Sequence, residues 1–206
     1  MTTTAGIIVL ATSNPGKIAE FRKLLPGSVH VVSLDELGIV LPPETGQTFA
    51  ENAIAKALSA AQQSGMLAIA DDSGLEVDVL GGAPGVRSAR YAGEAGNDAA
   101  NRARLLAELE GVPPERRTAR FRCVVALASP DGLIAWEEGV CEGSIATEPA
   151  GTFGFGYDPI FLLPDGRTMA ELPPGEKNTI SHRARAYEAI RPALIRALED
   201  AKASAP

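Results

Sequence analysis

Ile7 to Ala11 form an unbroken apolar run, and Asn14-Pro15-Gly16 follows almost at once. The first reads as a buried strand. The second is a helix start, with Asn14 suited to the cap and Pro15 to the first helical position. A strand that feeds directly into a helix is the repeating unit of an α/β domain, and the alternation continues. Ile18, Phe21 and Leu25 share one face of the helix, which Pro26 and Gly27 stop. Val29 to Val32 reads as a second strand. Thr48 and Glu51 have capping-box spacing ahead of a helix carrying Ala53, Ile54, Ala57 and Ala61, with Gly65 at its end. Leu67 to Ala70 reads as a short strand stopped by Asp71 and Asp72. Leu75, Val77 and Val79 then alternate as a separate half-buried strand.

Further along, Asp98 reads as the cap of a helix with Ala103, Leu106 and Leu109 inward. Phe121–Ala128 and Leu133–Ile145 read as a hairpin around Ser129-Pro130-Asp131-Gly132. A second hairpin is expected from Pro159–Leu163 and Thr168–Leu172. The last helix buries Tyr187, Ile190, Leu194 and Leu198, and Pro192 inside it predicts a kink or split. Crossovers early and hairpins late imply a mixed sheet with flanking helices. The ends, about 1–6 and 201–206, are expected to fray.

At 206 residues the chain suits a single domain, and 45% hydrophobic against 22% charged residues supplies a core. No apolar run approaches the roughly 20 residues of a membrane span. The start, MTTTAGIIVLATSN, lacks the basic region and cleavage site of a secretory signal, so a cytoplasmic protein is expected. Cys123 and Cys141 have no metal-ligand spacing; two core thiols, near each other across the hairpin, are expected in preference to a disulfide. A net charge of −7 argues against long nucleic acid as a partner but not against a small anion held by local cations.

Four segments could carry chemistry. In Thr12-Ser13-Asn14-Pro15-Gly16-Lys17, a capped helix start with outward amides at Gly16 and Lys17 and an added cation meets the requirements of a phosphate site. It equally describes an ordinary cap, and it is not a Walker A loop. In AIADDSG, the adjacent carboxylates Asp71 and Asp72 end an apolar strand, where a divalent cation such as Mg²⁺ would offset their burial; a surface turn is the plain alternative. In GTFGFGYDP, Phe153, Phe155 and Tyr157 could offer a flat face to a heterocycle beside Asp158, or simply enter the core. At the entry to the last helix, Lys177, His182 and Arg183 place cations where the helix dipole disfavours them, which favours an anion or electron-rich base among them; a solvated basic turn with an idle histidine is the plain alternative. Lys56 is expected on the exposed side of its helix. No GxSxG elbow exists, and both cysteines sit in apolar strands, so nucleophilic hydrolase chemistry is disfavoured.

TSNPGK, ETGQTFAENAIAKA, ADDSGLEVDVLGGAPGVRSARYAG, PAGTFGFGYDPIF and EKNTISHRARA, in that order, closely resemble the inosine triphosphate pyrophosphatase (Ham1/RdgB-like) family. The resemblance implies one elongated mixed α/β domain over 1–206, with two lobes around a central cleft, as a homodimer. It implies Mg²⁺-dependent hydrolysis of dITP, ITP and XTP to monophosphate and pyrophosphate. By motif, Thr12 to Lys17 would wrap the triphosphate, and Glu44 and Asp72 would hold Mg²⁺. Asp72 would also take the proton of the attacking water, supported by Asp71. Ser73 and Lys56 would contact phosphates or ribose. Phe155, Gly156, Tyr157, Asp158, Lys177, His182 and Arg183 would enclose the base and sugar, with His182 and Arg183 as donors to a 6-oxo group. Pro15 is a variable position of the motif and Pro192 an unexpected one. Two other readings fit less of the chain: a Maf-like pyrophosphatase for other modified nucleotides, and a nucleotide sensor without turnover.

Overall fold

The computed structural model describes residues 6–93 and 96–203. In chain order it contains β1 (Gly6–Leu10), α1 (Pro15–Leu24), β2 (Val29–Ser33), α2 (Leu34–Leu37), α3 (Phe49–Ser64), β3 (Ala68–Val77), α4 (Asp98–Glu108), β4 (Thr118–Ser129), β5 (Gly132–Ile145), β6 (Phe161–Leu162), α5 (Pro174–Ile180) and α6 (His182–Ala203), joined in places by 3₁₀ turns. The strands form one sheet in the order β2-β1-β3-β4-β5-β6. β1 runs parallel to β2 and β3, and β5 antiparallel to β6, which is the mixed sheet expected. No helix among the described residues is long and apolar enough to cross a membrane.

Contacts divide the chain into two compact units. The first takes the described residues up to Asp72, Cys123–Gly139 and those from Arg183 onward. Its core gathers Ile8, Leu10, Phe21, Ile69, Val125, Tyr187, Ile190 and Leu194. The second takes Ser73–Arg122 and Val140–His182, around Leu75, Val77, Leu105, Phe121, Ile160, Phe161 and Met169. Cys123 belongs to the first core and Cys141 to the second; both are free thiols.

Local hydrogen bonds explain why helices start where they do. Asn14 Oδ1 accepts from the Lys17 amide at 3.1 Å, with Pro15 at the first helical position. Thr48 and Glu51 close a reciprocal capping box on α3, and Gly65 ends that helix at φ +70°, where a side chain would be strained.

Several expectations are corrected. β3 runs unbroken through Asp71 and Asp72 instead of stopping there, and Val79 lies in a 3₁₀ turn. Asn97, not Asp98, caps α4, whose buried residues are Asn101 and Leu105 while Ala103 is exposed. The segment after β6 is a 3₁₀ turn over Met169–Glu171 with one bridge, Leu162 to Thr168, so no second hairpin forms. Lys177 lies on the separate helix α5. Pro192 does not split α6: it is exposed, and the carbonyl it leaves unbonded can meet water. Gly6 is already in β1 and Ala201–Ala203 in α6; residues 1–5 and 204–206 lie outside the described part.

Candidate active site

In the first unit, β3 carries two carboxylates into the interior: Asp71 is 0% and Asp72 5% exposed. Isolated charges there would be costly, and the surrounding elements supply cations. Lys17, from α1, places Nζ 3.0 Å from Asp71 Oδ2. Arg183, from α6, approaches the same oxygen with Nη2 at 3.0 Å and Nε at 3.2 Å, and its Nη1 bonds Glu20. Burial alone would raise the Asp71 pKa, but Lys17, Arg183 and Lys56 outweigh it and hold the group well below the usual carboxylate range. Asp71 is therefore a permanent anion.

Asp72 is placed differently. Burial pushes its pKa up, Glu44 adds to the rise, and Lys56, Lys17 and a bond from Asn52 only partly oppose it. Lys56 Nζ lies 2.6 Å from Glu44 Oε1 and 3.9 Å from Asp72 Oδ1. Burial lowers the Lys56 pKa, yet Asp72, Asp71 and Glu44 raise it overall, so it stays an ammonium. This lysine is buried, contrary to the expectation of an exposed one. Asn52 was not foreseen. It is 2% exposed, donates to Asp72 Oδ2 at 2.9 Å and accepts from the Gly46 amide at 2.8 Å. A Cβ at Gly46 would meet that Asn52 oxygen at 2.6 Å, so the glycine lets the Glu44 loop close onto α3. The available signal was an asparagine four residues before Lys56 on one helix face.

Of the phosphate-loop residues, Thr12 is buried and accepts from the Asn14 amide at 3.2 Å, while Ser13, Asn14 and Pro15 are exposed. The cap takes the Lys17 amide, which leaves Gly16 of the expected pair.

In the second unit, the loop Gly151–Asp158 meets α5. Asp158 Oδ2 accepts from Lys177 Nζ at 2.6 Å and from the Phe155 amide at 2.8 Å. Lys177 Nζ also lies 5.0 Å from the centroid of the half-buried Phe155 ring. Gly154 has φ +74°, and a Cβ there would collide with the Asp158 carboxylate. Tyr157 is buried and donates to the Ser88 carbonyl at 2.9 Å. His182 is 5% exposed, its ring stacked 4.7 Å from that of Phe121. Ser73 begins this unit and is half-buried.

One residue departs from the grouping expected of it. Arg183 was placed with His182 around a base; it is 1% exposed and its guanidinium is committed to Asp71 and Glu20. That is the setting of a residue that orients Asp71.

As to what the carboxylates could hold, three cations (Lys17, Lys56, Arg183) face four carboxylates (Glu20, Glu44, Asp71, Asp72) in this cluster. The balance leaves room for a further cation. Glu44 and Asp72, joined through one ammonium, are hard oxygen donors of the kind Mg²⁺ accepts. Among the described residues no group of three or more His, Cys, Asp or Glu is placed to hold a metal ion; Mg²⁺ normally takes one or two carboxylates and completes its shell with water and substrate phosphates. The donor set fits.

The Ham1 family model matches residues 8–193. A dITP/XTP pyrophosphatase of Desulforamulus reducens is 56% identical over 184 residues, which is 88% of this chain and 92% of that protein. The dITP/XTP pyrophosphatase of Bacillus subtilis is 52% identical over 185 residues, 88% of this chain and 93% of its own. A solved HAM1 protein from Coxiella burnetii superposes with a TM-score of 0.83 at 46% identity, covering 93% of this chain and 99% of its own.

Proposed function

The chain belongs to the Ham1 family, and from that premise we propose that it is a dITP/XTP pyrophosphatase, hydrolysing non-standard purine nucleoside triphosphates, ITP included, to monophosphate and pyrophosphate. The reading gives the enzyme a house-cleaning role in the nucleotide pool, as a cytoplasmic homodimer. The observation that carries it is the different setting of two adjacent buried carboxylates: Asp71 is held by Lys17 and Arg183, while Asp72 shares the Lys56 ammonium with Glu44, so that Asp71 is held ionised and Asp72 pushed up. Neighbouring acids driven apart in this way take separate roles.

In this reading Glu44 and Asp72 hold Mg²⁺. When bound, the metal supplies charge neutralisation for the leaving pyrophosphate. Asp72 accepts the proton of the attacking water. Asn52 holds that carboxylate in place. Lys17, at the N-terminus of α1, meets the phosphates with the Thr12–Gly16 backbone. Asp71 fixes the Lys17 ammonium, and Arg183 fixes Asp71, so both act by positioning. Lys56 balances Glu44 and Asp72 and contributes charge toward the phosphates. Ser73 follows Asp72 directly and contacts phosphate or ribose.

Base recognition falls to the Gly151–Asp158 loop, α5 and His182. The Phe155 ring stacks on it, and Gly156 keeps the approach open. Tyr157 anchors the loop, and Asp158 orients Lys177. Lys177 and the His182 N–H donate to the 6-oxo group, where adenine would present an amino donor instead.

The test is pyrophosphate release from ITP and dITP with Mg²⁺, with EDTA and after Mg²⁺ is restored. Turnover that needs Mg²⁺ and far exceeds turnover of ATP is expected. Equal rates for ITP and ATP, or turnover unaffected by EDTA, would overturn it.

A further inference from the structure

The loop that carries Phe155 and Asp158 has no strand partner along the Gly154–Gly156 turn, and both glycines lie at positive φ, +74° and +61°. Within the loop, Asp158 bonds the amide and the carbonyl of Phe155; Gly156 is gripped from α4. Asp98 Oδ2 accepts from the Gly156 amide at 2.7 Å, and Arg102 Nη1 donates to the Gly156 carbonyl at 2.6 Å. The two side chains are four residues apart, on one face of the helix. They take the donor and the acceptor of the same residue, the one directly after the Phe155 ring.

α4 is itself fixed. Leu105 is fully buried, and Asn101, 2% exposed, accepts from the Ala92 amide at 2.7 Å and donates to the Ala89 carbonyl at 3.2 Å. An open groove of about 880 Å³, lined by Asp98, Arg102, Phe153 and Phe155 among others, lies at this helix end, and the polar tethers join the loop to it.

We propose that Asp98 and Arg102 are positioning residues for base recognition: they clamp the Gly156 peptide and so set the Phe155 ring and the Asp158–Lys177 pair to receive the purine. The inference rests on the reading of Phe155 as a base contact. It adds that affinity for the base depends on two side chains that do not touch it. A misplacement of the ring by a fraction of its width weakens stacking without altering the phosphate residues.

Steady-state kinetics with ITP tests this on the full chain, alongside inhibition by inorganic tripolyphosphate, which has no base. Arg102→Ala and Asp98→Ala are expected to raise KM for ITP about five- to tenfold, with kcat within about twofold. The tripolyphosphate inhibition constant should not move. Arg102→Lys keeps a donor and Asp98→Asn keeps an acceptor, so both should recover most of the lost affinity. Asp98 also lies in the first turn of α4, where a negative charge favours the helix dipole; Asp98→Asn removes the charge but not the acceptor, so a KM as high as that of Asp98→Ala would overturn the clamp. Phe155→Ala is the companion arm: an unchanged KM there overturns the base reading and the clamp with it. A raised KM for Phe155→Ala beside wild-type KM values for Arg102→Ala and Asp98→Ala overturns the clamp alone. If an alanine variant does not fold, Arg102→Met, which keeps the alkyl stem, decides by the same criterion.

Discussion

In the first unit seven charged side chains share one cluster, with Lys17 and Arg183 both on Asp71 and Lys56 between Glu44 and Asp72; in the second, Asp158 and Lys177 form a single buried pair beside an aromatic ring. The arrangements bury comparable charges but distribute risk differently. At Asp71 Oδ2, which Lys17 and Arg183 both meet, the loss of one cation leaves the other. In the pair, removing the ammonium leaves a carboxylate that is 3% exposed with its cation gone. A cluster can therefore exchange partners as a charged ligand arrives, while a pair serves as a fixed support.

The sharpest way to break this comparison is Lys177→Ala. It should destabilise the protein by about 3–5 kcal/mol, the cost of an uncompensated buried charge, read by urea unfolding. Arg183→Ala should cost clearly less, because Lys17 remains on Asp71. Equal losses would dissolve the distinction.

Asp72→Asn comes next. Turnover of ITP should fall by more than about 100-fold with the fold intact. Stability should move the other way. A carboxyl whose folded pKa lies above the ordinary 3.8 loses stability as pH rises through the interval between the two. Asparagine removes that penalty, so the metal-free variant should melt higher than wild type at pH 7, and the gap should close at low pH. A lower melting temperature at pH 7 would contradict the environment assigned to Asp72.

The third effect concerns a shared oxygen. Lys17→Ala should cost about 1.5–3 kcal/mol in kcat/KM, by a common factor for ITP, XTP and GTP. Arg183→Ala should likewise leave the ratios among these substrates unchanged, since its guanidinium holds Asp71. A narrowed ratio in Arg183→Ala would restore this arginine to the base. Because Arg183 acts through Asp71 on Lys17, the double variant should lose less kcat/KM than the two single losses combined.

The smallest effect sharpens the contrast between shared and solitary polar groups. The Tyr187 hydroxyl is buried in the first core with no hydrogen-bond partner among the described residues. Tyr187→Phe should be neutral or stabilise by up to about 1 kcal/mol, measured by thermal melting; a loss larger than that would reveal a partner for the hydroxyl.

What could be read from the sequence follows the range of the forces involved. The caps of α1 and α3 were legible because they close over three residues. Asp71 and Asp72 looked like the end of a strand because a short window shows only two carboxylates. The strand continues because Lys17, Lys56 and Arg183 arrive from distant segments, and the bond from Arg183 to Asp71 spans 112 residues. Lys56 looked exposed for the same reason. The family motifs supplied the site residues but not their supports. Glu20, Asp98 and Arg102 act across 163, 58 and 54 residues and carry no local signature, and Asn52, which acts across 20, shows only its helical spacing from Lys56. On α4 the leucines face inward as expected and Ala103 does not; Asn101 is buried beside Leu105 because two backbone groups need it.

The two thiols have a practical consequence. Cys123 and Cys141 are 0% and 2% exposed, and burial pushes the Cys123 thiol far up, away from the reactive thiolate. The folded protein should be silent toward maleimides, which makes it a ready background for labelling. A cysteine placed at Phe153, 45% exposed on the aromatic loop, would be the reactive one, and a fluorophore there would report nucleotide arrival directly. The same dye at Val40, 80% exposed in the first unit, supplies the reference signal.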